Sequence, residues 1–407
     1  MLYHAYETAH LFALPFRMAA EAMQAAWEFP WAPHSGTKLA ATMAAQCELF
    51  SRLTRRYDKP VFGIPSVQTV QGEAEVTEEV ADERPFCRLL HFRKSTGPLG
   101  PKVLVVAPMS GHHATLLRGT VRDLLPDHDV YVTDWIDARD VAMHETWFDL
   151  DDYIAYVIRM LRLLGPETHV VAVCQPTVPV IAAVSLMAAA DDDAQPRSMV
   201  LMGGPIDTRE NPTVVNQLAK TRPLAWFEHN VITAVPPPYR GLGRRVYPGF
   251  LQLTGFMSMN LDRHVGAHLD LFRHLVKGDG DGAAAHRRFY DEYFAVMDLS
   301  AEFYLQTIRT VFQDHALPLG RMRWRDYPVE PAAIAKTAMM TVEGAQDDIS
   351  APGQTVAAHG LTTSLPERKR AHHLQPHVGH FGVFNGRRWR TETLPKVRTF
   401  IRTHDKG

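Results

Sequence analysis

The stretch HVVAVCQPTVPVIAAVSLM, residues 169–187, decides how the rest of the chain is read. HVVAV (169–173) is short, β-branched and continuously apolar, as a strand buried on both faces would be. From Pro176 the apolar residues recur at helical spacing, and a proline suits a first helical turn because it gives up an N–H the helix does not use. Between strand and helix stands Cys174. The joint AVCQP resembles the strand–nucleophile–helix turn whose usual form is G-x-S-x-G. Such a turn strains the nucleophile's backbone, so the residues two before and two after it must be small or shaped to fit; here they are Ala172 and Pro176. The free N–H groups and partial positive charge at a helix start also stabilise a thiolate. A buried cysteine acting only as a small hydrophobe is the competing reading, and the joint alone leaves both open.

Working outward, strand patterns fall at 85–92, 102–108, 129–135, 198–203, 337–342 and 370–375, with helical patterns at 113–125, 150–165 and 176–190 and a last helix at about 387–404. Apolar strands alternating with helices describe a mostly parallel sheet covered on both faces. The alternation fails between GGPID (203–207) and TAMMTV (337–342). That segment is rich in aromatic residues, Trp226 and Tyr239 among them, and contains VPPPYRG (235–241). An insertion above the strand C-termini is where a lid sits, and Trp226 and Tyr239 are candidate substrate contacts; a helical subdomain with its own aromatic core is the alternative. Residues 1–55 hold two helix-like runs broken by FPWAPHSG (29–36). The first is apolar enough either to pack on the main domain or to touch a hydrophobic surface or a partner chain.

Composition narrows the function. Of 407 residues, 46% are hydrophobic and 22% charged, and 43 basic against 45 acidic residues give a net charge of −2, which offers nothing to nucleic acid. Three widely spaced cysteines argue for a reducing compartment rather than a disulfide framework. The N-terminus lacks the basic region of a signal peptide, and no apolar run is long enough to span a membrane, so the expected location is cytoplasmic.

A nucleophile on such a sheet needs an acid after a late strand and a histidine beyond the last one. TVEGAQDDIS (341–350) supplies Asp347 and Asp348, of which Asp347 follows Gly344 at the better interval. HHLQPHVGHFG (372–382) supplies His377 and His380, of which His380 sits in the Gly-His step. His377 and His380 have metal-ligand spacing without a visible third ligand, so no metal is expected. The oxyanion donors would be the N–H of Gln175 and, from the loop MSGHHATLLR (109–118), that of Met109 or Ser110. Gly111 allows close approach there, and His112 is a nearby substrate contact.

With these residues located, the chain resembles the intracellular poly(3-hydroxybutyrate) depolymerases. The resemblance runs over nearly the whole length, through PMSGHHATLLRGTVRDLLPDHDVYVTDWIDAR (108–139), VCQPTVPV (173–180), MGGPID (202–207), TVEGAQDDISAPGQT (341–355) and GHFGVFNGRRW (379–389). It implies an α/β-hydrolase fold with a mostly parallel central sheet, and a catalytic Cys-Asp-His set on Cys174, Asp347 and His380. The expected organisation is a helical N-terminal extension (1–60), core (61–207), largely helical lid (208–330) and core again (331–407). The implied substrate is the neutral storage polyester and its granule surface, cleaved through a thioester. No cofactor is required, with coenzyme A as the alternative acyl acceptor to water, and an oligomer stays open. The rivals are a polyester synthase, which usually carries Gly where this chain has Pro176, a thioesterase on small acyl groups, and a non-catalytic granule-binding protein.

Overall fold

A computed structural model of the chain describes residues 2–405 apart from 32, 99 and 146. The core sheet is formed by β1 Ser66–Thr69, β2 Gly72–Arg84, β3 Cys87–Lys94, β4 Lys102–Val106, β5 Asp129–Trp135, β6 Thr168–Val173, β7 Ser198–Met202, β8 Ala338–Gly344 and β9 Arg370–Gln375. Their spatial order is β1-β2-β3-β5-β4-β6-β7-β8-β9. From β5 to β9 the neighbours run parallel, while β1, β2 and β3 add an antiparallel edge. The strands β6 and β7 are buried at every position, which is why their sequences are continuously apolar rather than alternating. The hairpin β1–β2 carries no such pattern. GEAEVTEEVADER buries only Ala74, so its charged residues hide a long strand, second from the sheet edge, from a periodicity argument.

The helices in chain order are α1 Leu2–Glu28, α2 Lys38–Thr54, α3 Arg118–Leu124, α4 Leu150–Leu164 and α5 Thr177–Ala189. Between β7 and β8 come α6 Val214–Thr221, α7 Leu224–Val231, α8 Gly249–Met259, α9 Leu261–Lys277, α10 Gly280–Phe294 and α11 Ala301–Thr307; a final helix covers Leu394–Asp405. Helix α4 starts on a capping box, Asp149 and Asp152 each accepting from the other's backbone N–H, and buries its apolar stripe. Helix α5 is apolar all round because it is covered all round: Thr177 to Ser185 are buried without a break.

The inserted helices carry a small sheet of Thr233–Ala234, Arg245–Tyr247 and Leu299–Ser300. The N-terminal pair is locked to this insertion. Arg287 of α10 donates two bonds of 2.6 Å to Glu48 of α2, and Arg52 donates to Asp291 at 2.7 Å. Tyr3 of α1 is buried, and its hydroxyl donates to Asp298 at 2.8 Å. Among the described residues no helix is long and apolar enough to cross a membrane.

Candidate active site

The strand β6 delivers its chain directly to Cys174, whose N–H donates to the Met202 carbonyl of the neighbouring strand at 2.7 Å. Its φ is +69°, in the left-handed region that side chains with a β-carbon avoid at a cost of about 1–3 kcal/mol. The strain lifts the thiol out of the sheet, and Cys174 stays partly accessible while the other two cysteines are buried. The cushion under the joint is tight. A β-carbon on Gly204 would lie 1.8 Å from Oγ1 of Thr177 at the start of α5, so only glycine lets strand and helix approach this closely.

Asp347 follows β8 through a turn closed by its own N–H onto Gly344 O at 3.1 Å. Its Oδ1 accepts the N–H groups of Ile349 and Ser350 at 2.9 and 2.8 Å, which fixes the carboxylate plane. Its Oδ2 accepts from His380 Nδ1 at 2.8 Å, leaving the other ring nitrogen for the thiol side. His380 is buried, and burial works against its charged form. The carboxylate of Asp347, hydrogen-bonded to the ring, and the nearby sulfur of Cys174 outweigh that and hold its pKa well above the usual imidazole value. The structure therefore brings Cys174, His380 and Asp347 into one chain of contacts. The competing residues stand outside it: Asp348 is exposed and accepts from Asn260 of the insertion at 3.1 Å, and His377 is exposed.

Of the expected oxyanion donors, the Gln175 N–H donates to no backbone group among the described residues. The Met109 N–H donates to the side-chain oxygen of Gln175 at 3.3 Å, so an amide oxygen sits where a substrate oxygen would be held. Ser110 lies beside it on the cavity wall. His112 is buried against Phe256, bonds Tyr293 O through Nε2 at 3.1 Å, and has its pKa pushed down to about 4 by burial, so at neutral pH it is an uncharged donor. Among the described residues no group of three or more His, Cys, Asp or Glu is set to hold a metal ion.

Thiol and imidazole open into a cavity of about 360 Å³ beneath the insertion. Its walls are mainly apolar: Leu218, Phe227, Tyr247, Phe256, Phe303 and Tyr304 face the space between α6 and α11. Two expected contacts require correction. Trp226 is not on the wall; its ring lies near the Arg222 guanidinium, 5.3 Å away, and the next residue on α7, Phe227, faces the cavity instead. Tyr239 is held away from the cavity by α1 and the chain after α2, donating to Glu7 at 3.0 Å and accepting from Arg56 at 2.9 Å. Successive helix positions differ by about 100° around the axis, so reading α7 in helical register is the signal that separates Phe227 from Trp226.

A parallel sheet with a thiol at a strained strand–helix turn, then an aspartate and a histidine after two later strands, defines an α/β hydrolase. Residues 203–405, about half of the chain, match the family described as PHB de-polymerase C-terminus. The chain belongs to the poly(3-hydroxybutyrate) depolymerase family and is a hydrolase of ester bonds; the matched region holds the whole insertion, Asp347 and His380. No curated protein matches it. Among solved structures, it is similar to a 2-hydroxy-6-oxo-6-phenylhexa-2,4-dienoate hydrolase from a Rhodococcus species, at 14% identity, TM-score 0.46, 81% of this chain and 99% of that one. A thermophilic esterase from Thermogutta terrifontis matches at 12% identity and TM-score 0.41, covering 84% of this chain and 98% of that one.

Proposed function

We propose that this hydrolase cleaves stored poly(3-hydroxybutyrate) within the cytoplasm, at the granule, through a Cys-Asp-His triad. The observation that carries the reading is the φ of +69° at Cys174, joined in one apolar cavity to a His380–Asp347 pair. No structural role explains a strained cysteine there, since a residue packing only as a hydrophobe has no need of the left-handed region.

The thiol proton passes to His380, whose raised pKa favours the imidazolium–thiolate pair. The sulfur attacks an ester carbonyl, forming the C–S bond, and the oxyanion takes the N–H of Gln175 and that of Met109, displacing the Gln175 side chain from the latter. Collapse breaks the ester C–O bond, and His380 returns its proton to the departing hydroxyl end. Water, deprotonated by the now neutral His380, attacks the thioester; the C–S bond breaks and gives a carboxylic acid and the thiol. A thioester is close in free energy to its CoA counterpart, so coenzyme A in place of water would release an acyl-CoA. Burial of the neutral, methyl-bearing chain against the cavity walls contributes about 25 cal/mol per Å².

The test uses amorphous polymer granules with the wild type and Cys174→Ala, with and without coenzyme A, and product masses read by mass spectrometry. The expected result is release of 3-hydroxybutyrate species that Cys174→Ala abolishes. Granule binding without release by the wild type would overturn the reading.

A further inference from the structure

Helix α1 is built inside out. Along a stripe from Tyr3 to Ala20 it packs inward, and the charged residues in its first two-thirds, Glu7 and Arg17, go with the packing, while Glu21 and Glu28 towards its end are exposed. Glu7 accepts from Tyr239 and Arg56, Arg17 donates to Thr54 O at 3.1 Å, and Glu21 accepts from Ser51 at 2.7 Å. The opposite face between residues 11 and 19 has no charged residue. Leu11, Phe12, Phe16 and Met18 are there 60–73% exposed. A solvent-facing helix normally places its charges outward and its large apolar residues inward. Single exposed apolar residues mean little, but a contiguous strip with the charges withdrawn marks a contact surface.

We infer that the outward face of α1 is the surface by which the enzyme docks on solid, uncharged polyester, an inference that rests on the depolymerase reading above. Two observations select this occupant. The face is charge-free, matching a neutral polymer; α1 contains no lysine and turns its one arginine inward, so it lacks the cationic fringe with which interfacial helices hold anionic lipid. The helix that bears this face also packs on the active-site wall through its inward side. Tyr6 of α1 stacks on Phe250 of α8 with ring centroids 4.1 Å apart, and two further residues of α8, Phe256 and Met259, line the catalytic cavity. A chain end leaving a surface bound at α1 thus starts one helix away from the thiol.

The test compares Cys174→Ala with Cys174→Ala carrying Phe12→Glu and Phe16→Glu, sedimented with amorphous polyester granules and, separately, with phosphatidylcholine vesicles. The same two glutamates in the active enzyme are assayed on a soluble p-nitrophenyl ester, and the oligomeric state is read by light scattering. The expected result is that the glutamates weaken granule co-sedimentation by at least about tenfold, with soluble-ester turnover and molar mass unchanged and no vesicle binding by either protein. Undiminished granule binding by the glutamate variant overturns the inference. So does a fall from dimer to monomer, which would make the face an interface between two copies, or equal binding to vesicles, which would make it a lipid-seeking helix. Granule binding that depends on the two phenylalanines, without polymer release by the active wild type, supports docking while overturning the depolymerase reading, so the two fail separately.

Discussion

At Asp347 and His380 the chemistry rests on two opposed effects of burial. Removing the imidazole from water disfavours its charge, and only the carboxylate on one side and the sulfur on the other reverse that. Asp347→Asn keeps the shape and removes the charge. The expected result is a fall in kcat on a soluble ester of about 10³–10⁴-fold, with the pH–rate limb of His380 moved to lower pH as burial takes over. The linked stability has a definite sign. A histidine whose folded pKa is raised stabilises the fold fully below its unfolded value of about 6.5 and loses that contribution as pH rises through the raised folded value. Urea unfolding should therefore show the wild-type advantage over Asp347→Asn shrinking as the pH climbs above neutral. Gln175 supplies a second prediction. Because its side-chain oxygen occupies the Met109 N–H, Gln175→Ala removes a competitor for the substrate oxyanion while keeping the backbone donor. Turnover of a soluble ester should not fall below wild type; a loss of about 10²-fold or more would make the side chain itself a donor.

Elements, rather than residues, explain what the sequence disclosed and what it withheld. The joint at Cys174 was legible because β6 and α5 are buried on all sides, so their residue types follow directly from burial, and the turn between them admits few side chains. Asp347 was legible in a similar way, since it follows the end of the apolar run of β8, whereas the strand before His380, RAHHLQ, is no apolar run and His380 was marked only by its Gly-His step. The β1–β2 hairpin was not, since a strand such as β2 with Glu and Asp on its exposed positions has the composition of a loop. The cavity wall was legible only as a composition. Aromatic residues in the insertion serve its own packing as often as the cavity, and a one-residue error in helical phase exchanges Phe227 for Trp226. The coupling of β7 to α5 yields an element-scale prediction. Gly204→Ala forces a β-carbon into Thr177 and must push α5 away from the sheet. The expected cost is about 1–3 kcal/mol in urea unfolding, with loss of ester turnover because the elbow moves with the helix. Equal stability and activity would show that the joint yields more easily than its packing implies.

Across the whole molecule, α1 joins the catalytic cavity to the outer surface through two faces with different work. The inward face holds the insertion: Tyr3 reaches the buried Asp298, whose other oxygen accepts the N–H of Gly249 at the start of α8 at 2.9 Å, and Tyr6 stacks on Phe250 one residue further along. The base of α8 is thus set by α1, and α8 in turn walls the cavity beside His112. Tyr6→Ala removes a stacked pair worth about 0.5–1.5 kcal/mol beyond its buried area, without touching the outward strip. The substitution should loosen α8 over the cavity and raise KM for a soluble ester while granule co-sedimentation stays at the wild-type level. That is the reverse of the pattern expected for glutamates at Phe12 and Phe16. If Tyr6→Ala leaves KM unchanged and lowers granule binding instead, then α1 does not position α8, and its two faces act as a single contact surface.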